Sequence, residues 1–224
     1  MISQGFSVTL VRHAQSENNA RPEHERIPDP ALTPFGTQQA LMLAEAFKHV
    51  PVTHLYCSPF LRALQTAAPV AQVLGKTPLV HSRIYEQGGC YRGFRIGERQ
   101  SEAGLGRSKI LELFPAWEID PAIQEQGWNK HLSYETKDEA RQRGIEVANW
   151  INEQSWPANT RLVMIIHADF KLRLLEAFLA RNDIEERFGP VINTAFTTLT
   201  KREGSWKLDC WNVHEHLGQS YISS

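Results

Sequence analysis

Short apolar segments alternate with helical patterns along most of this 224-residue chain. Compact runs of aliphatic and β-branched residues predict strands over 7–11, 52–57, 77–80 and 160–166. Apolar residues that recur every three or four positions predict helices that begin near 33, 58, 108, 137 and 169. Two further runs, 195–201 and 206–211, flank a turn and predict an antiparallel hairpin at a sheet edge. This order of elements predicts an α/β fold.

Local signals mark the ends of two predicted helices. Thr33 is a good N-cap, and Pro34 suits the first helical position because it needs no amide partner there. The same pattern recurs at Ser58 and Pro59, which predicts a second helix with Ser58 as its N-cap. Gly75 is placed to close that second helix.

The stretch from about 87 to 134 breaks this rhythm. It is rich in glycine and basic residues, and only about 108–114 has a helical pattern. A loop of this length in a compact domain is usually functional, so we predict an insertion or lid. Five of its basic residues either hold a second anionic group of a ligand or form a solvated surface; they are Arg92, Arg95, Arg99, Arg107 and Lys109.

Length and composition favour one domain over 1–224, because a chain that is 42% hydrophobic can bury one sizeable core. The net charge of −1 creates no field that would attract nucleic acid or a membrane, so an anion must be recognised locally. No segment has the length of a membrane span, and the first residues do not resemble a signal peptide. Three separated cysteines without metal-type spacing indicate a reduced, cytoplasmic protein; they are Cys57, Cys90 and Cys210.

Polar side chains lie at equivalent places after separate predicted strands. Arg12 and His13 come directly after the first strand, and Arg62 lies in the first turn of the helix that follows the second. His167 ends a later strand. The carboxyl ends of parallel strands share one edge, so these side chains should converge there with helix N-termini. Guanidinium groups beside imidazoles suit a phosphoryl group, which predicts a phosphate pocket.

Four motifs occur in order along the chain and bracket most of it. They are Leu10-Val-Arg-His-Ala-Gln-Ser-Glu-Asn-Asn19, Leu32-Thr-Pro-Phe-Gly36, Ser58-Pro-Phe-Leu-Arg-Ala-Leu-Gln-Thr66 and Val163-Met-Ile-Ile-His167, with a weaker match over 135–143. In these motifs the chain resembles the histidine phosphatase superfamily, which includes the cofactor-dependent phosphoglycerate mutases. The resemblance implies a three-layer α/β/α sandwich with a mainly parallel central sheet and an insertion over its carboxyl edge.

The resemblance also implies roles for individual residues. His13 would be the nucleophile, attacking phosphorus and carrying a phosphohistidine until water removes it. The imidazole would attack in its neutral form, with the second ring nitrogen held as a donor. The residues that would bind the phosphoryl group are Arg12, Arg62, His167, Asn19 and Ser16.

A leaving alkoxide needs a proton, and two acidic residues compete for this role. Glu86 follows the third predicted strand, about where many relatives keep their proton donor. Asp169 is the alternative, although an aspartate at that point is also an ordinary helix N-cap. Ala14 and Ala168 stand where glycine often follows each histidine in the family, and alanine would be strained there only if φ were positive.

These residues favour metal-independent hydrolysis of a small phosphomonoester, with a small phosphorylated metabolite as the binding partner and no cofactor. A mutase would share the first half-reaction, but the mutase Glu-Arg-aromatic-Gly signature is absent after Glu86. A non-catalytic relative that binds phosphorylated ligands or a protein would not require a nucleophilic histidine. His214 and His216 have strand-type spacing for metal ligands but no partner at recognisable spacing. The natural substrate, and the choice between monomer and homodimer, stay open.

Overall fold

A computed structural model describes residues 5–93, 95, 97–131 and 133–224, which contain nine strands and seven α-helices. The strands are β1 (Ser7–Arg12), β2 (His54–Cys57), β3 (Leu79–Val80), β4 (Tyr91–Arg92), β5 (Gln100–Ser101), β6 (Glu118–Ile119), β7 (Arg161–Ile166), β8 (Phe196–Arg202) and β9 (Ser205–Val213). The helices are α1 (Glu17–Ala20), α2 (Pro34–Phe47), α3 (Leu61–Leu74), α4 (Arg107–Leu113), α5 (Lys137–Glu153), α6 (Ala168–Leu179) and α7 (Ile184–Phe188).

The central sheet has seven strands in the order β6-β3-β2-β7-β1-β8-β9. The first five of these strands pair in parallel, and β8 and β9 join as an antiparallel hairpin beyond β1. The predicted hairpin at a sheet edge is therefore confirmed. The strand order places β1, β2 and β7 side by side, so the loops that follow them meet at one edge.

Helices cover both faces of this sheet because the central strands are apolar on both sides. In β7, Leu162, Met164 and Ile166 pack against α5 and α6, whereas Val163 and Ile165 pack against α2 and α3. The two cores lie on opposite faces of one sheet. This arrangement is a three-layer α/β/α sandwich, and it confirms the predicted fold class.

The helix ends test the local signals directly. Thr33 caps α2, since its hydroxyl accepts a hydrogen bond from the Gly36 amide at 2.9 Å, and Pro34 is the first helical residue. Gly75 ends α3 in the left-handed conformation with a φ of 58°. Both predictions are confirmed, and in both cases the residue acts through contacts within its own turn.

The prediction that Ser58 caps α3 and that Pro59 opens it is wrong. The helix begins at Leu61, and the Leu61 amide donates to the Asp29 carboxylate at 2.9 Å. The Ser58 amide instead donates to the Ile165 carbonyl at 3.0 Å, which extends the pairing of β2 with β7 by one residue. Residues distant in the sequence therefore supply the partners of the Ser58 and Leu61 amides, in place of a local cap.

The 87–134 insertion contains elements that the pattern did not predict. β4 and β5 form a separate two-stranded sheet, and β6 pairs in parallel with β3 at the edge of the central sheet. These strands have two residues each, which is too short for a period of two to be visible in the sequence. The predicted short helix of this stretch is α4.

Two further observations concern the cysteines and the membrane. Cys57 and Cys90 are buried and Cys210 is half-buried, and all three are free. Across the described ranges, no helix combines the length and the apolar character that a bilayer span requires.

Gly36 permits α2 to touch the loop that follows β1. A Cβ atom at this position would lie 2.0 Å from the Gln15 carbonyl oxygen, a backbone atom that cannot rotate away. We expect Gly36→Ala to lower the free energy of unfolding by about 2 kcal/mol, despite the better helix propensity of alanine. Urea unfolding measures this. Gly218→Ala is the control, because nothing lies within 4 Å of its Cβ, and equal losses in the two variants would contradict the steric argument.

Candidate active site

The loops after β1, β2, β3 and β7 enclose a cavity of about 350 Å³. The predicted site residues on its wall are Arg12, His13, Ser16, Asn19, Arg62, Glu86 and Asp169. His167 lies directly behind this wall and is fully buried. The sheet edge has therefore gathered residues that are separated by more than 150 positions in the sequence.

His13 is oriented by its own neighbour in the chain. Its Nδ1 donates to the Ala14 carbonyl at 2.7 Å, so its Nε2 carries the free lone pair. Arg62 Nε donates to that Nε2 at 3.2 Å. The nitrogen that would attack phosphorus thus faces a guanidinium group in the cavity.

Arg62 links the two histidines. Its Nη2 lies 3.2 Å from His167 Nδ1, and the His167 Nε2 lies 2.7 Å from the Ser58 hydroxyl. A guanidinium can only donate, so His167 Nδ1 is an acceptor here and its Nε2 carries the proton. The two rings meet edge to face with their centroids 5.0 Å apart. One arginine therefore determines the tautomers of both imidazoles.

Both histidines are held in the neutral form. Burial, followed by the positive charge of Arg62, lowers the pKa of His13 and of His167 well below the usual value of 6.5. A neutral imidazole has the free lone pair that a nucleophile needs. The positive charge of the site therefore resides on the arginines.

Arg12 supplies a second cation to the cavity. Its Nη1 donates to the Val191 carbonyl, and its Nε is buried without a partner among the described residues. Burial lowers the pKa of this guanidinium to about 10, while Glu86 and Asp169 oppose the shift. Arg12 stays charged at neutral pH, and it lies in the cavity wall, where its charge suits an anionic ligand.

Ser16 and Asn19 form the first turn of α1 at the mouth of the cavity. The Ser16 amide and hydroxyl both donate to Asn19 Oδ1, at 3.0 and 3.1 Å. This arrangement uses the oxygen of the Asn19 amide and leaves its Nδ2 to donate to a ligand.

The Glu86 carboxyl lies in the cavity wall, at the start of α6. Its Oε1 accepts from the Gln87 amide at 2.8 Å and from the Phe170 amide at 3.0 Å. Burial and the nearby Asp169 nonetheless raise the pKa of the Glu86 carboxyl to about 7. Asp169 is on the exposed rim, and the surrounding protein raises the pKa of its carboxyl as well. The cavity thus combines an anion-binding half with a carboxylic acid half.

Comparisons with known proteins agree with this geometry. A family model described as histidine phosphatase superfamily (branch 1) matches residues 8–214. This chain belongs to that superfamily. The predicted family and the prediction of a histidine phosphatase enzyme are both confirmed.

The individual relatives include phosphatases and a mutase. Phosphoserine phosphatase 1 of Hydrogenobacter thermophilus is 24% identical over 219 residues, 96% of each chain. A putative phosphoserine phosphatase 2 from that organism is 41% identical over 85 residues, which cover 38% of this chain and only 42% of the relative. A probable phosphoglycerate mutase, GpmB, of Escherichia fergusonii is 23% identical over 227 residues, 98% of this chain and 96% of the relative.

A solved structure supports the fold. A phosphoserine phosphatase mutant from Entamoeba histolytica, in complex with phosphoserine, has a TM-score of 0.66 at 20% identity. The match covers 95% of this chain and 99% of that one. This histidine phosphatase therefore has the fold that its relatives share.

Asp169 does not have the local role that the sequence suggested, and the alanines that follow the two histidines are unstrained. Asp169 is not the N-cap, because His167 occupies that position and Asp169 is the second helical residue. Neither Ala14 nor Ala168 is among the described residues that have a positive φ, so neither alanine is strained. A methyl group after each histidine is compatible with an intact site.

Part of the cavity wall comes from residues that the sequence did not single out. Arg26 lies there beside Tyr91 and Tyr134, two rings of the 87–134 insertion that meet edge to face at 4.9 Å. The five basic residues that the sequence suggested as anion ligands are absent from the described cavity lining. Arg99 instead stacks on Tyr134 at 3.9 Å, and Arg92 pairs with Glu102 at 3.0 Å. The insertion thus contributes aromatic rings to the site.

Asp29 and Ser58 support the site from behind. The Asp29 carboxylate accepts from the first amide of α3, and burial raises the pKa of its carboxyl to about 6 despite the nearby Arg62. Ser58 holds His167, as described above. The signal for Asp29 was its position between two prolines in the loop after β1, which restricts the backbone on both sides.

A metal centre is a separate question. The described parts of the chain hold no group of three histidine, cysteine or acidic side chains suited to a metal ion. Of the two suggested histidines, His214 Nδ1 lies 2.6 Å from the Asn212 carbonyl and His216 Nε2 lies 3.0 Å from the Thr194 hydroxyl. Both rings therefore have protein partners.

A buried ion pair holds the segment that carries Glu86. Arg143 Nε and Nη2 donate to Glu135 at 2.7 and 2.6 Å, and Arg143 Nη1 donates to the Tyr85 carbonyl at 3.0 Å. The Gly88 amide donates to the same carboxylate at 3.3 Å. These contacts lie on both sides of Glu86 along the chain, so the pair determines where that carboxyl lies.

Breaking this pair should destabilise the protein strongly. Arg143→Met leaves the Glu135 carboxylate buried without its counterion, and we expect a loss of about 3–5 kcal/mol in the free energy of unfolding. Urea unfolding measures it, with Arg202→Met as the control because the Arg202–Asp209 pair is exposed. The control should lose less than about 1 kcal/mol. Similar losses in both variants would contradict the assignment.

Proposed function

We propose that this protein hydrolyses small phosphomonoesters through a phosphohistidine on His13, without a metal ion. The observation that carries this proposal is the orientation of the imidazole. Its Nδ1 proton is held by a carbonyl, and its Nε2 lone pair faces Arg62 at the base of the cavity. A neutral imidazole fixed in this tautomer can attack phosphorus without first losing a proton.

Binding of the phosphoryl group would rearrange the hydrogen bonds of the empty site. The anion would take the Arg62 donors that now point at the two imidazoles, which frees His13 Nε2 for attack. Arg12 Nε and Asn19 Nδ2 would donate to other phosphoryl oxygens. His167, relieved of one Arg62 donor and placed beside a dianion, would gain a proton and donate as well. Phosphoryl transfer depends mainly on such positioning and charge stabilisation.

Glu86 is the better placed of the two candidate proton donors. Its pKa of about 7 keeps a large fraction of its carboxyl protonated at neutral pH. Backbone amides occupy Oε1, which leaves Oε2 to carry the proton. Asp169 is exposed, whereas Glu86 is half-buried. In the second half-reaction the Glu86 carboxylate would take a proton from the attacking water.

Hydrolysis and mutase activity share the first step and differ in what accepts the phosphoryl group. The chain lacks the Glu-Arg-aromatic-Gly mutase signature after Glu86, which favours water as the acceptor. Phosphatase names among the relatives of similar length agree with this choice, and the GpmB name keeps the mutase as the second candidate. A cavity of about 350 Å³ suits a metabolite rather than a phosphoprotein.

Replacing the nucleophile should abolish turnover. We expect wild type to release phosphate from p-nitrophenyl phosphate in buffer with a chelator, and to carry acid-labile, base-stable phosphate. His13→Ala should lose both, by at least about a thousandfold in kcat, because no other described cavity residue offers a neutral nitrogen nucleophile.

His54→Ala is the matched control, since this histidine lies at the start of β2, on the opposite edge of the sheet. It should keep both properties. Wild-type protein that is folded but neither releases nor retains phosphate would favour a binding module. Transfer of the label to a hydroxy-acid phosphate acceptor, faster than to water, would favour the mutase.

The proton donor can be identified by its dependence on the leaving group. Glu86→Gln should lower kcat for an alkyl phosphate by about a hundredfold or more, and for p-nitrophenyl phosphate by less than about tenfold. For the alkyl substrate, wild-type kcat/KM should fall as pH rises through about 7, because Glu86 then loses its proton. This alkaline decline should be absent from Glu86→Gln.

Asp169→Asn provides the comparison for this assignment. It removes the neighbouring charge that raises the pKa of Glu86, so the alkaline decline should move to lower pH while the leaving-group dependence stays that of wild type. A larger loss on alkyl phosphates in Asp169→Asn than in Glu86→Gln would assign the proton to Asp169.

A further inference from the structure

The turn that precedes β8 surrounds the backbone of the nucleophile. The Thr194 amide donates to the Arg12 carbonyl at 3.1 Å, and the Arg12 amide donates to the Ala195 carbonyl at 3.1 Å. Thr194 adopts a left-handed conformation with a φ of 58°. The turn therefore follows the outline of the 12–14 segment, at some cost in backbone strain.

Within this contact, one side chain reaches the nucleophile itself. Asn193 is fully buried, and its Nδ2 donates to the His13 carbonyl at 3.0 Å. On the other side of the same peptide bond, the Ala14 amide donates to the Thr66 hydroxyl at 3.0 Å. The His13 amide donates to the Ile166 carbonyl at 2.9 Å. The peptide plane between His13 and Ala14 is thus held at both ends.

This peptide plane matters because the imidazole depends on it. The next carbonyl along the chain, that of Ala14, accepts the His13 Nδ1 proton at 2.7 Å. If the peptide between His13 and Ala14 rotates, that carbonyl moves, and the Nδ1 proton loses its acceptor. The ring would then turn, and its Nε2 would no longer point at the base of the cavity.

Asn193 is itself oriented by the last residues of the chain. Its side-chain Oδ1 accepts from the Ser223 hydroxyl at 3.0 Å, and its backbone amide donates to the Ser223 carbonyl at 2.8 Å. Gln39, which is also fully buried, donates to the Ser223 hydroxyl at 3.0 Å and accepts from the Gln15 amide at 2.8 Å. The Ser223 hydroxyl therefore fixes the orientation of the Asn193 side-chain amide. Oδ1 faces Ser223, and Nδ2 faces the His13 carbonyl.

We propose that Asn193, held in its orientation by Ser223, is a positioning residue for the nucleophile His13. Asn193 does not line the cavity and would not touch the substrate. It acts through the His13 carbonyl, on the direction in which the imidazole attacks. The inference rests on the proposed function, since it assigns this role within the phosphatase reaction.

The experiment compares four substitutions by steady-state and single-turnover kinetics. Asn193→Asp keeps the shape but replaces the donor with an acceptor, and Asn193→Ala removes the group altogether. In both we expect kcat and the rate of His13 phosphorylation to fall about 30-fold, with KM changed by less than about twofold, because attack geometry is altered while phosphate binding is retained. Ser223→Ala should lower kcat about fivefold, and Ser223→Thr should restore it.

Thr160→Val is the control for the loss of a buried hydrogen bond. The Thr160 hydroxyl donates to the Pro157 carbonyl at 2.8 Å, in the loop before β7 and on the opposite edge of the sheet. Thermal unfolding of all variants shows which remain folded. The control should lose stability but keep kcat and KM. Asn193 variants that resemble it in both respects would overturn the proposal and leave a structural role.

A second measurement does not depend on turnover. In protein labelled with ¹⁵N-histidine, the Nδ1 proton of His13 is assigned by its loss in His13→Ala. We expect this resonance to exchange faster with water in both Asn193 variants and to be unchanged in Thr160→Val. Unchanged exchange and unchanged kinetics together overturn the proposal. Altered exchange in a protein whose wild type has no phosphatase activity would reject the proposed function and leave Asn193 as the residue that orients His13.

Discussion

The buried guanidinium of Arg62, placed between two imidazoles, is the interaction on which the site depends. It donates to both His13 and His167, so each ring must present a lone pair to it. Its charge also adds to burial in keeping both histidines neutral. The carboxyls of Asp29 and Glu86 lie near this buried cation, and its donors face into the site, so the arrangement suits an anionic ligand.

The fold places this guanidinium by fixing where α3 begins. Asp29 accepts from the first amide of the helix, and Arg62 is the next residue along. Thr66, one turn further on, donates to the Arg62 carbonyl at 2.7 Å and accepts from the Ala14 amide. The helix that carries Arg62 is thereby joined to the loop that carries His13. A shift of either element would move both groups.

The acidic half of the site is positioned by different means. Glu86 lies after β3, and the Glu135–Arg143 pair contacts the chain on both sides of it. That pair comes from α5 and the residue before its cap, so the helical layer opposite α3 controls the carboxyl group. His13 and Glu86 are therefore held by groups from opposite faces of the sheet.

Much of the fold was predictable, because the main strands and helices are long enough to show their own periodicity. The caps at Thr33 and Gly75 were also predictable, since each acts through its own turn. Ser58 misled the prediction because its backbone continues the β2–β7 pairing and its hydroxyl binds His167. No local pattern could show that a histidine 109 positions away would compete for that hydroxyl. The two-residue strands of the insertion were not predicted, because they are too short to show a period of two in the sequence.

The sequence by itself determined the family and the α/β fold class, and it predicted most of the residues that line the cavity, because these follow from local periodicity and from motifs of contiguous residues. It could not determine which ring nitrogen is free, how far burial shifts each pKa, or that Asn193 and Ser223 lie behind His13. Those properties depend on distances between residues far apart in the chain. Only the packing of strands at a common edge sets such distances, and only burial makes the resulting hydrogen bonds decisive.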